Sequence, residues 1–365
     1  MLHAVIMAGG TGTRFWPESR AAQPKQLLRM ADERTMLRAT VHRLGELVPP
    51  ERIVISTTTS LAGKIADELP ELPREAILAE PCKRNTAPCI GLAASKIVRD
   101  DPDGVMAVMP ADHVISPEEF FQRAIRFAEA LVDQQPERLV TFGIRPTYPA
   151  ESFGYIEQGE TLESKVAADF DNPPAVYRVG QFREKPDADT ARHYLERGTF
   201  FWNSGIFVWR ARAILDGLEQ HEPEIRQALD RIAGAAASPE FDEVLRREFE
   251  AMKGISIDYA VMERASEVLM VEAPFEWDDV GSWQSLARLR GTDESGNTVA
   301  AKHLGIETTG SIIRGAEDHL IVTVGLSDCI VVHTPDATLV ANKHDEEAVR
   351  KVVEELKRRG WEAYL

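Results

Sequence analysis

The sequence predicts an α/β protein built on a mostly parallel sheet, followed by a small β-rich appendage. Two observations carry that expectation. Through the first ~150 residues, short apolar runs of strand length alternate with segments of helical period, the pattern of βα units whose crossover helices cover a sheet. From about Asn297 the texture changes to short apolar runs separated by turn residues and closed by one amphipathic stretch. At 365 residues, with 44% hydrophobic and 7% aromatic side chains, the chain can bury one large core plus an appendage.

Taken in order, apolar runs predict strands at Ala4 to Met7, Ile53 to Ser56, Ala76 to Ala79, Val105 to Met109 and Leu139 to Phe142. Between them, Ile90, Ala93, Ala94, Ile97 and Val98 fall on one face of a helix. A further helix is expected to open on Ser116-Pro117-Glu118-Glu119, read as a capping box with proline in its first turn. It would bury Phe120, Ala124, Phe127, Ala128 and Leu131. In such sheets ligands bind beyond the carboxyl ends of the strands, where the loop after the first strand and Pro110-Ala111-Asp112-His113 both fall. The appendage offers strand-like runs at Ser311 to Ile313, Leu320 to Val324, Ile330 to Val332 and Thr338 to Val340. Its closing helix carries Ala348, Val349, Val352, Val353 and Leu356 on one face, with Gly360 as the stop. The division is placed at 1–290 for the large domain and 291–365 for the β-rich one.

Charge and cysteine usage narrow the function. A formal net charge of −17 argues against a nucleic-acid partner, which wants a basic surface, but not against a small anionic substrate in a local basic pocket. Arg14, Arg20, Lys25 and Lys185 are the cations available for such a pocket. No apolar stretch approaches the ~20 residues of a membrane span, and no leader is visible. Cys82, Cys89 and Cys329 form no C-x-x-C and leave an odd count, so reduced thiols and a cytoplasmic location are expected.

The segment Ala8-Gly9-Gly10-Thr11-Gly12-Thr13-Arg14 directly follows the first apolar run, and Pro24-Lys25 lies a little further on. Three glycines within four residues allow a sharp turn and expose backbone N–H groups, while Arg14 and Lys25 add fixed cations. That combination describes a polyphosphate cradle. The dinucleotide fingerprint fails because its last glycine is Phe15, and no Gly-Lys-Ser/Thr run follows the four spacers of the other common phosphate loop.

From Gly9 to Lys25 the chain resembles the signature of the sugar-1-phosphate nucleotidyltransferases, G-G-x-G-T-R-x-x-P-x-S-R-x-x-x-P-K, at every fixed position. The resemblance implies a Rossmann-like, GT-A-like mixed sheet and a short C-terminal β-helix-like domain. Joining a sugar phosphate oxygen to the α-phosphorus of a triphosphate brings two anions together and builds charge on departing pyrophosphate. The chemistry therefore calls for a divalent cation, fixed cations and positioning rather than a covalent nucleophile. Mg²⁺ is typically held by one or two carboxylates plus substrate phosphates. Asp112, in Pro110-Ala111-Asp112-His113, and Asp279, in Trp277-Asp278-Asp279-Val280-Gly281-Ser282-Trp283, resemble the P-A-D-H and W-x-D-V-G-x-W motifs of the mannose-1-phosphate guanylyltransferase branch. The resemblance makes Asp112 and Asp279, rather than Asp278, the ligands of Mg²⁺ or another divalent cation. His113 needs no base role, because the attacking phosphate oxygen is already ionised.

The same branch is resembled by Phe182-Arg183-Glu184-Lys185-Pro186, Trp202-Asn203-Ser204-Gly205 and Ser256-Ile257-Asp258-Tyr259-Ala260-Val261-Met262-Glu263. These imply a sugar-phosphate site of Gly154, Glu184, Lys185, Asn203 and Asp258, with Lys185 holding the phosphate as a point charge. Asp258 could equally cap its own helix. Glu80-Pro81-Cys82-Lys83-Arg84-Asn85-Thr86-Ala87-Pro88 resembles the segment of guanylyl-transferring members, so Glu80, Arg84, Asn85 and Thr86 join the nucleotide site. A helix N-terminus capped by Asn85 or Thr86 explains the same residues. The catalytic set implied is Arg14, Lys25, Asp112, Lys185 and Asp279, and the substrates are GTP and mannose 1-phosphate. The β-rich domain is expected to pack on its own catalytic domain or across a homodimer. Another sugar phosphate or triphosphate is the near alternative. A non-catalytic nucleotide-sugar sensor is the remote one, since Arg14, Lys25, Asp112 and Asp279 are all present.

Overall fold

The computed structural model describes residues 1–10, 12–183 and 185–365, apart from the side chains of residues 346 and 347; Thr11 and Glu184 lie outside the described residues. The chain divides into two compact units. The first comprises Met1–Gly9, His42–Pro110 and Ile115–Trp277, and the second comprises Gly10–Val41, Ala111–Val114 and Asp278–Leu365.

The strands of the first stretch, in chain order, are β1 (Leu2–Met7), β2 (Ile53–Thr58), β3 (Ile77–Glu80), β4 (Val105–Pro110), β5 (Val114–Ser116) and β6 (Leu139–Ile144). They continue with β7 (Tyr155–Thr161), β8 (Val176–Arg183), β9 (Phe200–Arg210), β10 (Val268–Glu272) and β11 (Glu276–Asp278). Among the described residues, nine of these form one sheet in the order β3-β2-β1-β4-β9-β6-β10-β8-β7, while β5 pairs with β11. Strands β1, β2, β3 and β4 run parallel, as do β6 and β10. Antiparallel β9 joins β4 to β6. β2 and β6 are buried along their whole length and β1 and β4 nearly so, which is why they read as continuous apolar runs rather than alternating ones.

The helix Thr86–Asp100 buries Ile90, Ala93, Ala94 and Ile97 in the core of this unit, together with Ile214, Leu218, Leu229 and Phe249. The helix expected from Ser116 begins later, at Glu118, and no side chain caps it. Ser116 belongs to β5, and of the expected stripe Ala124, Phe127, Ala128 and Leu131 are buried while Phe121 replaces Phe120. Phe121, Ala124, Ile125, Phe127, Ala128, Leu131 and Val132 are buried, whereas Phe120 is exposed. Among the described residues, no helix is long and apolar enough to cross a membrane.

In the second unit, β12 (Thr298–Ala300), β14 (Ile312–Arg314) and β16 (Cys329–His333) stack in parallel, and β17 (Thr338–Asn342) closes on β16 antiparallel. β13 (Lys302–Ile306) and β15 (Leu320–Val324) form a separate parallel pair. Successive turns of chain thus pile into a β-helix-like stack whose interior holds Ile313, Ile321 and Val331. The helix Glu346–Arg358 follows, its N-cap Asp345 accepting from the Ala348 N–H, and Gly360 takes the left-handed conformation that ends it.

A second core unites this stack with the N-terminal segment of the chain. Phe15, Trp16, Leu28 and Met30 pack with Val280, Trp283, Leu286, Ile312, Ile330, Val332, Leu339, Val349 and Leu356. Phe15 meets Trp283 edge-on at 5.2 Å, and the Trp283 indole donates to the Trp16 carbonyl at 3.4 Å. Trp16 in turn donates to the Tyr364 carbonyl at 2.8 Å, and Glu18 pairs with Arg314 at 2.6 Å. The segment after the first glycines therefore folds as part of the β-rich unit.

Deletion of residues 297–365 should uncover Phe15, Trp16, Leu28 and Met30, giving a fragment that aggregates or is cut by trypsin at Lys25 and Arg29. Limited proteolysis with mass spectrometry checks this. A soluble fragment protected there as in the full chain would show that the segment folds without the stack.

Candidate active site

Three stretches distant in sequence meet at one ammonium group. Lys25 opens the short turn Lys25–Leu27 and is only 8% exposed. Its Nζ donates to Asp112 Oδ2 at 2.7 Å and to the Asp279 carbonyl at 2.6 Å, with the Phe15 ring 6.0 Å away. Gly12 makes this placement possible. Its φ is 62°, and a Cβ there would lie 2.3 Å from Lys25 Cβ, so no other residue fits. Ser19 Oγ holds the turn by donating to the Gly12 carbonyl at 2.6 Å. Gly9 and Gly10 differ. A Cβ on Gly9 would meet nothing within 4 Å, and one on Gly10 only Gln26 Oε1 at 4.0 Å. Packing within the chain does not demand glycine at either place, whereas close approach of a ligand to bare backbone would. Ala8 is anchored: its N–H donates to the Ser56 carbonyl at 2.7 Å, and its own carbonyl accepts from Thr57 Oγ1 at 3.0 Å. Thr13 and Arg14 lie on the turn Thr13–Phe15.

The two carboxylates sit in different electrostatic surroundings. Burial alone would raise Asp112, but the Lys25 ammonium, its hydrogen bond and nearby His113 hold it below the ordinary carboxylate value. Asp279 is pushed up to about 6, first by burial and then by the negative charges of Asp278 and Asp112, which Lys25 and Arg288 only partly offset. Adjacent Asp278 has another task. It receives Arg288 Nε at 2.5 Å and Nη2 at 3.1 Å, and its Oδ1 accepts the Val280 N–H at 2.7 Å. That bond secures Val280, a buried β-branched residue with φ 50°, a conformation such residues rarely adopt. The strained turn separates the roles of the two acids: Asp278 is fixed by Arg288, and the Asp279 carboxylate feels the charges of Lys25 and Asp112. Among the described residues, no group of three or more His, Cys, Asp or Glu side chains could hold a metal ion. Two carboxylates without a cage suit a hard cation that completes its shell with phosphate oxygens and water.

Arg20, expected among the phosphate-binding cations, is held elsewhere. Its guanidinium donates to Asp336 Oδ1 at 2.9 Å and to the Tyr364 carbonyl, and it covers the Trp16 ring at 5.3 Å. It tethers the β-rich unit instead.

In the first unit, three residues of the sugar set come together. The Asn203 N–H donates to the Gly154 carbonyl at 2.8 Å, and Asn203 Nδ2 donates to Asp258 Oδ1 at 2.8 Å. Thr141 Oγ1 reaches Asn203 Oδ1 at 3.2 Å, fixing which way the amide points. Beside Asn203, Trp202 packs with Tyr148 at 4.8 Å and Phe153 at 5.0 Å, and Phe153 with Trp277 at 5.3 Å, an aromatic wall suited to a sugar face. Lys185 is exposed just past β8, with φ 31°, and Glu184 lies outside the described residues.

The remaining nucleotide candidates form a separate group. Buried Glu80 accepts from Ser56 Oγ at 2.8 Å, and burial raises its carboxyl above the ordinary value against the pull of Cys89, Ser56 and Lys83. Arg84 points Nε at the Phe249 carbonyl (3.3 Å) and Nη2 at the Glu250 carbonyl, closing the end of the helix Phe241–Ala251. Asn85 caps the next helix by accepting the Thr86 N–H at 2.8 Å, and Thr86 Oγ1 accepts the Ile257 N–H at 2.8 Å. Thr141 and Ser56 escaped the sequence reading. Their signal was present: Thr141 is a lone hydroxyl inside an otherwise apolar strand run, and Ser56 opens the hydroxyl run Ser56-Thr57-Thr58 in a fully buried strand, and such groups must find partners when buried.

A sheet whose strand ends lead into an open glycine turn and into Asp112 and Asp279, with a buried lysine on the Asp112 carboxylate and the Asp279 carbonyl, belongs with the nucleotidyl transferases. The profile of the nucleotidyl transferase family matches residues 3–296, and that of the MannoseP isomerase/GMP-like beta-helix domain matches residues 301–356. The mannose-1-phosphate guanylyltransferase of Escherichia coli (strain K12) is 39% identical over 365 residues, covering 98% of this chain and 74% of its own. Mannose-1-phosphate guanylyltransferase ManC of Salmonella typhimurium is 38% identical over the same shares of each chain. A crystal structure from Thermus thermophilus, described as a mannose-1-phosphate geranyltransferase, superposes with a TM-score of 0.85 at 32% identity, covering 98% of this chain and 99% of that one. The chain belongs to the nucleotidyl transferase family, in the branch of the mannose-1-phosphate guanylyltransferases.

The Asp279 carboxyl titrates higher in the folded protein than in the unfolded chain, so the folded state binds the extra proton. The associated stability is present below the ordinary value of 3.8 and lost as pH rises through about 6. Asp279→Asn removes the ionising group. In chelator-treated protein it should raise the melting temperature at pH 8, with the gain fading towards pH 4. Thermal unfolding across that range checks the sign, and destabilisation at pH 8 would mean that the ionised carboxylate is well compensated.

Proposed function

We propose that the chain transfers the guanylyl group of GTP to α-D-mannose 1-phosphate, forming GDP-mannose and pyrophosphate. The observation that carries this reading is buried Lys25 bonding the Asp112 carboxylate and the Asp279 backbone carbonyl, in a chain 39% identical to an enzyme named for that substrate. The nucleophile is a phosphate oxygen that is already anionic, so catalysis is a matter of charge and alignment. Enzymes of this family generally use a divalent metal. Asp112 and Asp279 fit one as oxygen donors of a hard cation, and we assign them to Mg²⁺ or a similar ion. Such a cation, when bound, neutralises phosphate oxygens and makes pyrophosphate a better leaving group.

The protein's own groups do the rest. The bare backbone of Gly9 and Gly10, with Thr13, Arg14 and Lys25, receives the triphosphate. Lys25 balances Asp112 in the unliganded protein and offsets charge growing on pyrophosphate during reaction. Asn203, positioned by Thr141, and Asp258 take sugar hydroxyls beside Trp202, with Gly154 letting the backbone come close. Lys185 and Glu184 are assigned the sugar's phosphate and hydroxyls. Glu80, Asn85 and Thr86 frame the base, and Arg84 holds their loop in shape through the Phe249 and Glu250 carbonyls. On this reading residues 1–290 carry every group with a chemical role, while 291–365 support the segment that contains Lys25.

Pyrophosphate release with GTP and mannose 1-phosphate, set against a panel of other triphosphates and sugar phosphates, tests the assignment. A preference for another pair would move the substrates while keeping the reaction type. Asp112→Asn and Lys25→Met should each lower the turnover number by roughly 10²-fold or more, with GTP binding weakened much less. Single-turnover kinetics with direct nucleotide titration separates these effects; a change confined to the Michaelis constant would make Lys25 a uniform binding contact. Asn203→Ala should raise the Michaelis constant for mannose 1-phosphate far more than that for GTP. An equal rise in both would place Asn203 outside the sugar site.

A further inference from the structure

Between Gly12 and Lys25 the chain forms a loop whose two ends touch, since a Cβ on Gly12 would lie 2.3 Å from Lys25 Cβ. Such a loop is as rigid as the contacts its far end makes. The far end carries Trp16 and Arg20, and both donate to one acceptor, the Tyr364 carbonyl, Trp16 through Nε1 at 2.8 Å and Arg20 through Nη1. A carbonyl has two lone pairs, and here both are engaged. Trp16 is 8% exposed and the Arg20 side chain 13%, so neither donor could readily turn to water instead. The acceptor belongs to the turn Glu362–Tyr364, just past the helix Glu346–Arg358. Trp361 and Tyr364 themselves have exposed side chains, so the segment grips the loop through its backbone. It is seated by the Trp361 N–H, which donates to the Leu356 carbonyl at 3.0 Å, and by Leu365, which packs on the core that holds Phe15 and Trp16.

We propose that Trp16 and Arg20 are positioning residues for Lys25, and that the segment Trp361–Leu365 is the clamp through which they act. The proposal rests on the reading of Lys25 as the cation that offsets charge on departing pyrophosphate. Two short routes join the clamp to that ammonium. Along the first, the Trp16 carbonyl accepts from Trp283 Nε1 at 3.4 Å, Trp283 meets Phe15 at 5.2 Å, and the Phe15 ring lies 6.0 Å from Lys25 Nζ. Along the second, Arg20 and Gln23 exchange backbone bonds, Arg20 N–H to the Gln23 carbonyl at 2.9 Å and Gln23 N–H to the Arg20 carbonyl at 3.0 Å. That closed turn feeds directly into Pro24-Lys25. A lysine stem is flexible, so its ammonium is preorganised only when the backbone behind it is fixed. Releasing the clamp leaves the charge present but less often aligned with the leaving group, which lowers turnover more than binding.

Kinetics of the full chain, of a chain lacking residues 361–365 and of Trp16→Phe test this, using the substrate pair that turns over fastest. Each change should lower the turnover number by about 10-fold or more, with both Michaelis constants moved by less than about 3-fold. Because the two changes remove the same bond, Trp16→Phe should add little to the loss in the shortened chain. Lys25 itself supplies a readout independent of turnover. In chelator-treated protein, acetic anhydride followed by mass spectrometry should modify Lys25 several-fold faster in either variant than in wild type, relative to exposed Lys64. Circular dichroism at the assay temperature establishes folding. Should the shortened chain fail to fold, Trp16→Phe decides, since it keeps an aromatic ring and loses the N–H. Full turnover in Trp16→Phe, unchanged reactivity of Lys25, or losses that add independently would each overturn the clamp. A harmless Lys25→Met would overturn the reading of Lys25 on which the clamp rests. A damaging Lys25→Met beside an indifferent shortened chain would overturn the clamp alone.

Discussion

The buried ammonium of Lys25 is the interaction on which the rest of the site depends. Gathering Asp112 and Asp279 in a part-buried place is costly, because burial and mutual repulsion both oppose ionisation. Lys25 brings Asp112 below the ordinary carboxylate value but leaves Asp279 near 6. One cation facing two carboxylates leaves negative potential in excess, which suits a place meant for further positive charge. The glycine at position 12 is subordinate to this arrangement, since its missing side chain makes room for the lysine stem.

The two compact units give the motifs a common property. The chain passes from the first unit into the second at Gly9–Gly10, Pro110–Ala111 and Trp277–Asp278. These crossings fall within the glycine turn, the Asp112 stretch and the Asp279 stretch. A strand delivers the chain to the crossing in each case, and a candidate site residue follows within a few positions. The β-rich stack is therefore tied to the Lys25 and Asp279 stretches through Phe15, Trp16, Val280 and Trp283, which share its core.

Backbone strain and unfavourable ionisation fall at neighbouring positions. Val280 holds a backbone conformation unfavourable for a β-branched residue, and the carboxyl beside it is pushed well above its ordinary range. Both are offset by the surrounding packing and by the Arg288–Asp278 pair.

The sequence by itself determined the parallel-sheet class, the β-rich appendage and the identity of the charged motifs. Apolar period, glycine spacing and carboxylates after strand runs are local properties, and they survive without knowledge of the fold. Asn203 and Asp258 were legible as single residues, but their hydrogen bond was not, because nothing local links positions so far apart. Tertiary structure alone decided which of two adjacent acids would be engaged by Arg288, since that depends on how the chain turns at Val280. It drew Arg20 away to Asp336 and Tyr364, and turned Arg84 towards a helix end, because a guanidinium goes where carbonyls and carboxylates converge in space. It also put Phe121 rather than Phe120 on the buried side of the helix after β5, while Ala124, Phe127, Ala128 and Leu131 are buried as the stripe predicts. Sequence distributes charge and apolar surface along a line; which groups neutralise one another is settled only when distant parts of that line are buried together.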